Sequence, residues 1–286
     1  MPSPSIEEHG DSGQDAYRNL PPPPPDMTDT VSYNRDAWNR RSNSRCRWSI
    51  PVDSRVIESA RAGNWEVILT PNKSVPKTWF GEIKGKRVLC LASGGGQQAP
   101  VLAAAGAHVV SFDNSDEQLA KDKMVADRDQ LDLKIVQGDM ADLSVFADKS
   151  FDLIFHPVSN LYAERLEPVW RECHRVLKPM GRLLSGAMNP LFYLFNHDEA
   201  EKLGTLEVKY VQPFSDLKSL SADELDQLTR DHVAYEFGHS LEDQIGGQIA
   251  AGFSIAGFYE DDWDNEATPL NRYTPTYITT LAIKQG

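Results

Sequence analysis

The sequence predicts an α/β fold in which a mostly parallel sheet is covered by helices on both faces. Short apolar runs alternate with helical patterns over about 100 residues, beginning near position 87. Glycine or aspartate follows each of the first three runs, as is common where strands pass into loops. Such alternation is typical of parallel sheets, whose strands need long connections, usually helices, to return to the same edge.

Five apolar runs predict the parallel strands. They cover residues 87–92, 107–112, 133–137, 151–155 and 182–187. Helical patterns at 117–129 and 169–177 lie between them, and the second is followed by Pro179 and Gly181, which are frequent beyond helix ends. A helix at 241–251 and two β-rich runs at 253–259 and 277–284 complete the pattern and predict a pair of strands with a long connection.

The remaining chain divides into three further segments. Residues 1–28 are polar and contain five consecutive prolines, which predicts a disordered tail with a polyproline II stretch. Residues 29–80 predict a helical N-terminal cap on the main domain, residues 81–286. Within that domain, residues 188–238 are more polar and less periodic, and we expect an insertion or lid near the carboxyl ends of the strands.

Composition argues against several classes of protein: nucleic-acid-binding, disulfide-rich, zinc-binding and membrane-spanning. The net charge is −13, with 29 basic and 42 acidic residues, so a broad nucleic-acid surface is not expected. Three cysteines without CxxC spacing predict neither a disulfide framework nor a zinc site. No window approaches the roughly 18 apolar residues that a bilayer requires, and the N-terminus lacks a signal pattern. We therefore expect a cytoplasmic protein that does not bind membranes.

Glycine and aspartate residues at the ends of three successive predicted strands predict one ligand-binding site. Gly94 and Gly96 follow the first strand, where glycine lets the backbone approach a ligand closely. Asp113 follows the second strand, and Asp139 with Met140 follows the third. The carboxyl ends of parallel strands meet at one edge, so these residues should converge there. Ordinary turn chemistry is the alternative explanation for each residue taken singly.

These motifs resemble those of the class I methyltransferases that use S-adenosylmethionine (SAM). The segments that carry the resemblance are VLCLASGGG (88–96), SFDNS (111–115), QGDM (137–140), FDLIFHPVSN (151–160) and ECHRVLKPMGRLL (172–184). The N-terminal YNRDAWNR (33–40), together with LASGGGQQAPVLAAAGA (91–107), further resembles a bacterial subgroup of largely uncharacterised members. The family resemblance implies a Rossmann-like sheet of seven strands with an antiparallel last strand.

The resemblance also implies cofactor roles. Gly94 and Gly96 would hold the methionine part of SAM, Asp113 with its neighbour Asn114 the ribose, and Asp139 with Met140 the adenine. Two positions depart from the family pattern. Cys90 replaces an acidic residue before the glycine loop, and Ala92 stands at the first glycine position. Ser93, Gln97 or Gln98 would then supply polar contacts at the methionine end.

Two alternative functions remain open from sequence. Gly94-x-Gly96-x-x-Ala99 followed by Asp113 also satisfies the fingerprint of an NAD(P)-binding oxidoreductase. That interpretation gives no reason for Asp139. The replacements at Cys90 and Ala92 would instead suit a SAM-binding protein without catalytic activity.

His156 directly follows the fourth strand and is the candidate general base, and Asn160 could orient the methyl acceptor. A purely structural hydrogen bond is the alternative for His156. His232, Glu236 and His239 could enter the site from the lid. The aromatic residues of the cap could close over a ligand or serve only as packing. We expect a small-molecule acceptor and no metal; the oligomeric state is left open.

Overall fold

The computed structural model describes residues 29–44, 46–263 and 268–286, so the predicted tail at 1–28 lies outside the described residues. Its centre is a seven-stranded sheet in the order β3-β2-β1-β4-β5-β9-β8. Strands β1 to β5 pair in parallel, and β9 runs antiparallel to both of its neighbours. The sheet strands are β1 Arg87–Leu91, β2 His108–Asp113, β3 Leu133–Gln137, β4 Phe151–His156, β5 Leu177–Met188, β8 Phe253–Asp261 and β9 Tyr277–Lys284.

The predicted fold class is confirmed, including the antiparallel last strand. A second, two-stranded sheet pairs β6 (Phe214–Ser215) with β7 (Phe237–Gly238). The α-helices are α1 Thr30–Ser42, α2 Ser54–Arg61, α3 Lys77–Phe80, α4 Gln98–Ala104, α5 Asp116–Asp129, α6 Glu167–Val176, α7 His197–Leu203, α8 Asp216–Ser219, α9 Ala222–Arg230 and α10 Gly247–Ala250. The helix expected at 241–251 is a π-helical turn, Glu242–Gly246, that continues into α10.

Alternation along the strands divides the hydrophobic core between the two faces of the sheet. In β1, Val88 and Cys90 pack with residues of α2 and α4, whereas Leu89 and Leu91 pack on the opposite face. Trp170 of α6 is fully buried on that second face. Burying one such large side chain stabilises the fold by roughly 1.5–3 kcal/mol. The helices are therefore fixed on both faces, as the near-continuous apolar strands predict.

The N-terminal segment and the region 188–238 meet above the carboxyl edge of the sheet. The Asn34 side chain of α1 donates to Tyr235 O at 3.0 Å and accepts from Tyr235 N at 2.8 Å. Tyr33 stacks on Tyr235 with ring centroids 4.1 Å apart and donates to Val233 O at 3.0 Å. Because Asn34 is only 4% exposed, its bonds join the two segments within a dry contact.

Candidate functional site

A cavity of about 300 Å³ lies between the carboxyl ends of β1 to β4 and the covering formed by α1 and the region 188–238. Its floor contains most of the residues predicted to bind the cofactor: Ser93, Gly94, Gln97, Asp113, Asn114, Asp139 and Met140. Its opposite wall contains aromatic side chains of the covering and of neighbouring loops. The strand-end residues thus converge on one crevice, as a parallel sheet requires.

The loop after β1 has a backbone that only small residues accommodate. Ala92 adopts φ +47°, and Gly95 and Gly96 adopt φ +120° and +77°. A Cβ on Gly94 would lie 2.7 Å from Gln118 Cβ, closer than real contacts allow. The left-handed conformation at Ala92 is one that glycine adopts freely, whereas a residue with a Cβ pays about 1 kcal/mol or more there.

Asp122 holds this loop from beneath and was missed by the sequence analysis. Its buried carboxylate accepts the Gly96 N–H at 2.7 Å and the Ser111 hydroxyl at 2.5 Å. Burial raises the pKa of Asp122 to about 7, although both donors oppose the shift. A sequence signal existed, because Asp122 shares the apolar face of α5 with Leu119 and Val125. Gly96 lies against this support rather than on the cavity wall.

Asp113 presents its carboxylate to the cavity from the end of β2. One oxygen accepts the Gly94 N–H at 2.9 Å, and the other accepts the Ser115 N–H at 2.9 Å. Burial raises the pKa of Asp113, and its backbone donors oppose that effect. Each oxygen keeps a lone pair for a further donor. The adjacent Asn114 donates to Val31 O at 2.8 Å and so joins the site to α1.

Asp139 and Met140 line the cavity beyond β3. Asp139 Oδ1 accepts the Ala141 N–H at 3.0 Å, which orients the carboxylate. Gly138 lies against the edge of the Phe112 ring, where any Cβ would clash. The apolar side chains of Phe112 and Met140 beside the Asp139 carboxylate fit an adenine, which offers an aromatic face and an amino donor.

The methionine end of the predicted cofactor site contains polar groups but no acidic residue from β1. Ser93 Oγ is buried and has no hydrogen-bond partner among the described residues. Gln97 lines the cavity, yet its amide donates to Arg47 O and Ile50 O at 2.8 and 3.0 Å. Cys90 is fully buried within β1 and behaves as a core residue. The unpartnered hydroxyl of Ser93 and the carboxylates of Asp113 and Asp139, which accept hydrogen bonds, fit the amino, hydroxyl and adenine groups of SAM.

His156 and Asn160 lie behind the cavity wall, which corrects the expectation that His156 faces the crevice. The ring of His156 is fully buried, with Nδ1 3.0 Å from Leu91 O and Nε2 2.6 Å from Asn160 Oδ1, and a neutral ring donates its single N–H proton to one of these two oxygens. Asn160 in turn donates to Gln244 Oε1 at 2.9 Å. Burial lowers the pKa of His156. The neighbouring turn residues, from Pro157 to Ser159, form the wall instead.

The covering and the neighbouring loops contribute aromatic rings to the cavity wall, and the covering also contributes one carboxylate. Trp38 of α1 contacts Tyr162 edge-on, with ring centroids 5.4 Å apart. Trp48 contacts Trp263 similarly at 5.5 Å. Glu236, immediately before β7, reaches the cavity, as the lid interpretation had allowed. His239 is buried against Ala163 O, and His232 is exposed and away from the wall, so neither enters.

The described ranges contain no group of three or more His, Cys, Asp or Glu side chains that could hold a metal ion. Within the same ranges, no helix is long and apolar enough to cross a membrane.

Comparison with known proteins agrees with this geometry. Residues 89–185 match the family model described as a methyltransferase domain. A protein of Bacillus subtilis strain 168, the uncharacterized methyltransferase YbaJ, is 50% identical over 258 residues, which cover 90% of this chain and 100% of that protein. The sterol 24-C-methyltransferase erg-4 of Neurospora crassa is 37% identical over 105 residues, which cover 36% of this chain and 27% of that enzyme.

Solved structures share the fold. A putative SAM-dependent methyltransferase from Listeria monocytogenes superposes with a TM-score of 0.57 at 16% identity and covers 73% of this chain and 95% of its own. A SAM-dependent methyltransferase from Mesorhizobium loti superposes with a TM-score of 0.54 at 17% identity and the same coverage. At such identities the likeness establishes the fold alone.

The full-length relative and the matched domain decide between the interpretations of the glycine loop. They favour methyl transfer over the NAD(P)-dependent oxidoreductase and over a SAM-binding protein without activity. The chain belongs to the SAM-dependent methyltransferases, and its cofactor is SAM.

Proposed function

We propose that this methyltransferase transfers the methyl group of SAM to a small-molecule acceptor bound beneath the covering. The observation that carries the proposal is the continuity of one cavity, from Gly94 and Asp113 at the strand ends to Trp38 and Tyr162 at the covering. A cofactor on the strand ends and an acceptor against the aromatic wall would then share one continuous cavity.

The enclosure supports a small acceptor rather than a macromolecule. α1 closes the cavity from above, and the buried bonds between Asn34 and Tyr235 hold it there. A polymer chain would need this contact to open. The net charge of −13 also opposes the approach of nucleic acid.

We assign the cofactor contacts as follows. Asp113 accepts the ribose hydroxyl protons, Asp139 and Met140 contact the adenine, and the hydroxyl of Ser93 contacts the methionine part. Bound SAM supplies an electrophilic methyl group, so the protein must align the acceptor within about 3–3.5 Å and exclude water. We assign His156 and Asn160 a positioning role, because their hydrogen bonds join the ends of β1 and β4 behind the wall.

Calorimetric titration with SAM and with S-adenosylhomocysteine tests the cofactor assignment. We expect micromolar affinity for both, reduced at least tenfold in Asp113→Asn and unaffected by NADH. Asp226→Asn is the matched control, since Asp226 is exposed on α9. Equal affinities in the two variants would contradict the role of Asp113.

The acceptor class is tested with SAM labelled in its methyl group and a cell extract separated by size. We expect the label in the fraction of small molecules. Label confined to protein or nucleic acid would contradict the proposal.

A further inference from the structure

The covering places one carboxylate in the cavity wall, that of Glu236. Two other carboxylates of the described wall, Asp113 and Asp139, belong to the strand ends and to the proposed cofactor contacts. Glu236 stands at the start of β7, and its backbone N–H donates to Asp216 Oδ2 at 2.7 Å. It is therefore anchored on the small β6–β7 sheet, on the side of the cavity away from the strand ends.

One oxygen of Glu236 is committed and the other is available. Oε2 accepts the Tyr193 hydroxyl at 3.0 Å. No hydrogen bond or ion pair engages Oε1 among the described residues, although the side chain is half-buried against the cavity. Oε1 can therefore accept a hydrogen bond from a ligand in the cavity that Glu236 lines.

Several titratable or charged groups surround this carboxylate from the elements packed around it. They are Arg41 of α1, Tyr162 of the turn after β4, Tyr193 of the turn after β5, Asp216 at the start of α8, and Tyr277 of β9. Arg41 donates to Cys46 Sγ at 3.4 Å and forms no ion pair within the described residues. Burial and the nearby Asp216 raise the pKa of Glu236 to about 7, against the opposing effects of Tyr193 and Arg41.

We propose that Glu236 is the base of the reaction and that the acceptor is a hydroxyl compound with a flat aromatic body. This inference rests on the proposed function. The cavity is walled by aromatic rings on the covering side, which suits an aromatic acceptor. A free amine carries a lone pair and needs no base, whereas a hydroxyl is a weak nucleophile until its proton is removed.

The proposed step balances without another reactant. The acceptor oxygen forms a bond to the methyl carbon while the carbon–sulfur bond breaks, and the electron pair of that bond stays on sulfur. The hydroxyl proton moves to Oε1 of Glu236 and is later released to water. A base whose pKa lies near the working pH is the efficient choice for such a transfer.

Fluorescence titration with 2-naphthol and its methyl ether, 2-methoxynaphthalene, tests the inference independently of turnover. Both share one aromatic body, and only 2-naphthol has a proton to donate. In the presence of saturating S-adenosylhomocysteine, we expect wild-type protein to prefer 2-naphthol by about tenfold. The preference should grow as the pH rises through about 7 and Glu236 ionises.

The variants separate Glu236 from its surroundings. Glu236→Gln should abolish the pH dependence of the preference, and Glu201→Gln, an exposed residue of α7, should leave it intact. Tyr193→Phe removes the donor to Oε2 and should move the midpoint to higher pH, because that donor favours the ionised form.

The outcomes are distinguishable. If S-adenosylhomocysteine binds but neither naphthalene does, or if the two bind equally, the assignment of Glu236 and of the hydroxyl acceptor is overturned and the cofactor site stands. If Glu236→Gln keeps the pH-dependent preference, another group is the base. If S-adenosylhomocysteine itself does not bind, the proposed function fails first.

Discussion

The carboxylate of Asp122 accepts the backbone N–H of Gly96 at 2.7 Å, so a buried acid on α5 supports the glycine loop that follows β1. The same carboxylate accepts the Ser111 hydroxyl of β2. Strand, loop and helix are thereby joined through one side chain. The charge of that side chain affects both the stability of the fold and the shape of the loop.

Asp122→Ala should weaken SAM binding at least tenfold and lower the free energy of unfolding by about 1–3 kcal/mol. The physical reason is that Gly96 N–H and Ser111 Oγ lose their buried acceptor. Calorimetry and urea denaturation measure the two effects. Asp127→Asn, on the exposed side of the same helix, is the control. Wild-type SAM affinity in Asp122→Ala would contradict the supporting role.

Asp122→Asn should remove the part of the pH dependence of the free energy of unfolding that comes from the titration of Asp122. An ordinary aspartate has a pKa of 3.8, and burial raises that of Asp122 to about 7. Ionisation in this window is easier in the unfolded chain, so wild-type stability falls as the pH rises from about 4 to about 7, by a few kcal/mol in order of magnitude. Thermal denaturation across this window should show a flatter profile for Asp122→Asn. Parallel profiles in the two proteins would show that Asp122 does not titrate there.

Ala92→Gly should stabilise the protein by up to about 1 kcal/mol. Ala92 has φ +47°, a conformation that glycine adopts without the Cβ conflict. The gain is partly offset by the greater flexibility of glycine in the unfolded chain. Urea denaturation measures the change, with Ala120→Gly at an exposed position inside α5 as the opposite case, which should destabilise. A loss of stability in Ala92→Gly would contradict the strain at this position.

His156→Gln should destabilise the protein by about 1–3 kcal/mol, because the imidazole fills buried hydrogen bonds to Leu91 O and Asn160. Burial lowers the pKa of His156, so the folded state resists its protonation. Wild-type stability should therefore fall as the pH drops below about 6.5, and the fall should be smaller in His156→Gln. His108→Gln, at an exposed site, is the control. Wild-type stability together with wild-type activity in His156→Gln would contradict the positioning role.

Asn34→Ala should weaken the closure of the cavity. It removes the paired bonds to Tyr235 and leaves that residue's buried backbone groups without partners. We expect weaker binding of S-adenosylhomocysteine and faster proteolysis within residues 188–238, with Asn43→Ala at the exposed end of α1 as the control. Unchanged proteolysis would show that α1 does not hold the covering.

The local sequence pattern was sufficient to predict the fold and the strand-end residues that line one wall of the cavity. Apolar runs separated by helices predicted the strands, since a parallel sheet buried on both faces needs such runs. The positions of Gly94, Asp113 and Asp139 directly after three strands predicted one crevice, because the carboxyl ends of parallel strands lie at a common edge of the sheet. The positions of these three residues therefore follow from sequence order alone.

The direction in which each side chain points, and the residues against which it packs, were decided by the tertiary structure. His156 lies on the same side of β4 as Ile154, and that side packs against Trp170 of α6 rather than opening to the crevice. Glu236 and Trp38 are far apart in the chain. They line the same cavity because α1 and the β6–β7 sheet cover the same edge of the main sheet. The sequence by itself determined the sheet, the order of its loops and the residues at its strand ends. Only the folded chain decided which side chains reach the cavity, because that depends on contacts between segments distant in sequence, which no local periodicity encodes.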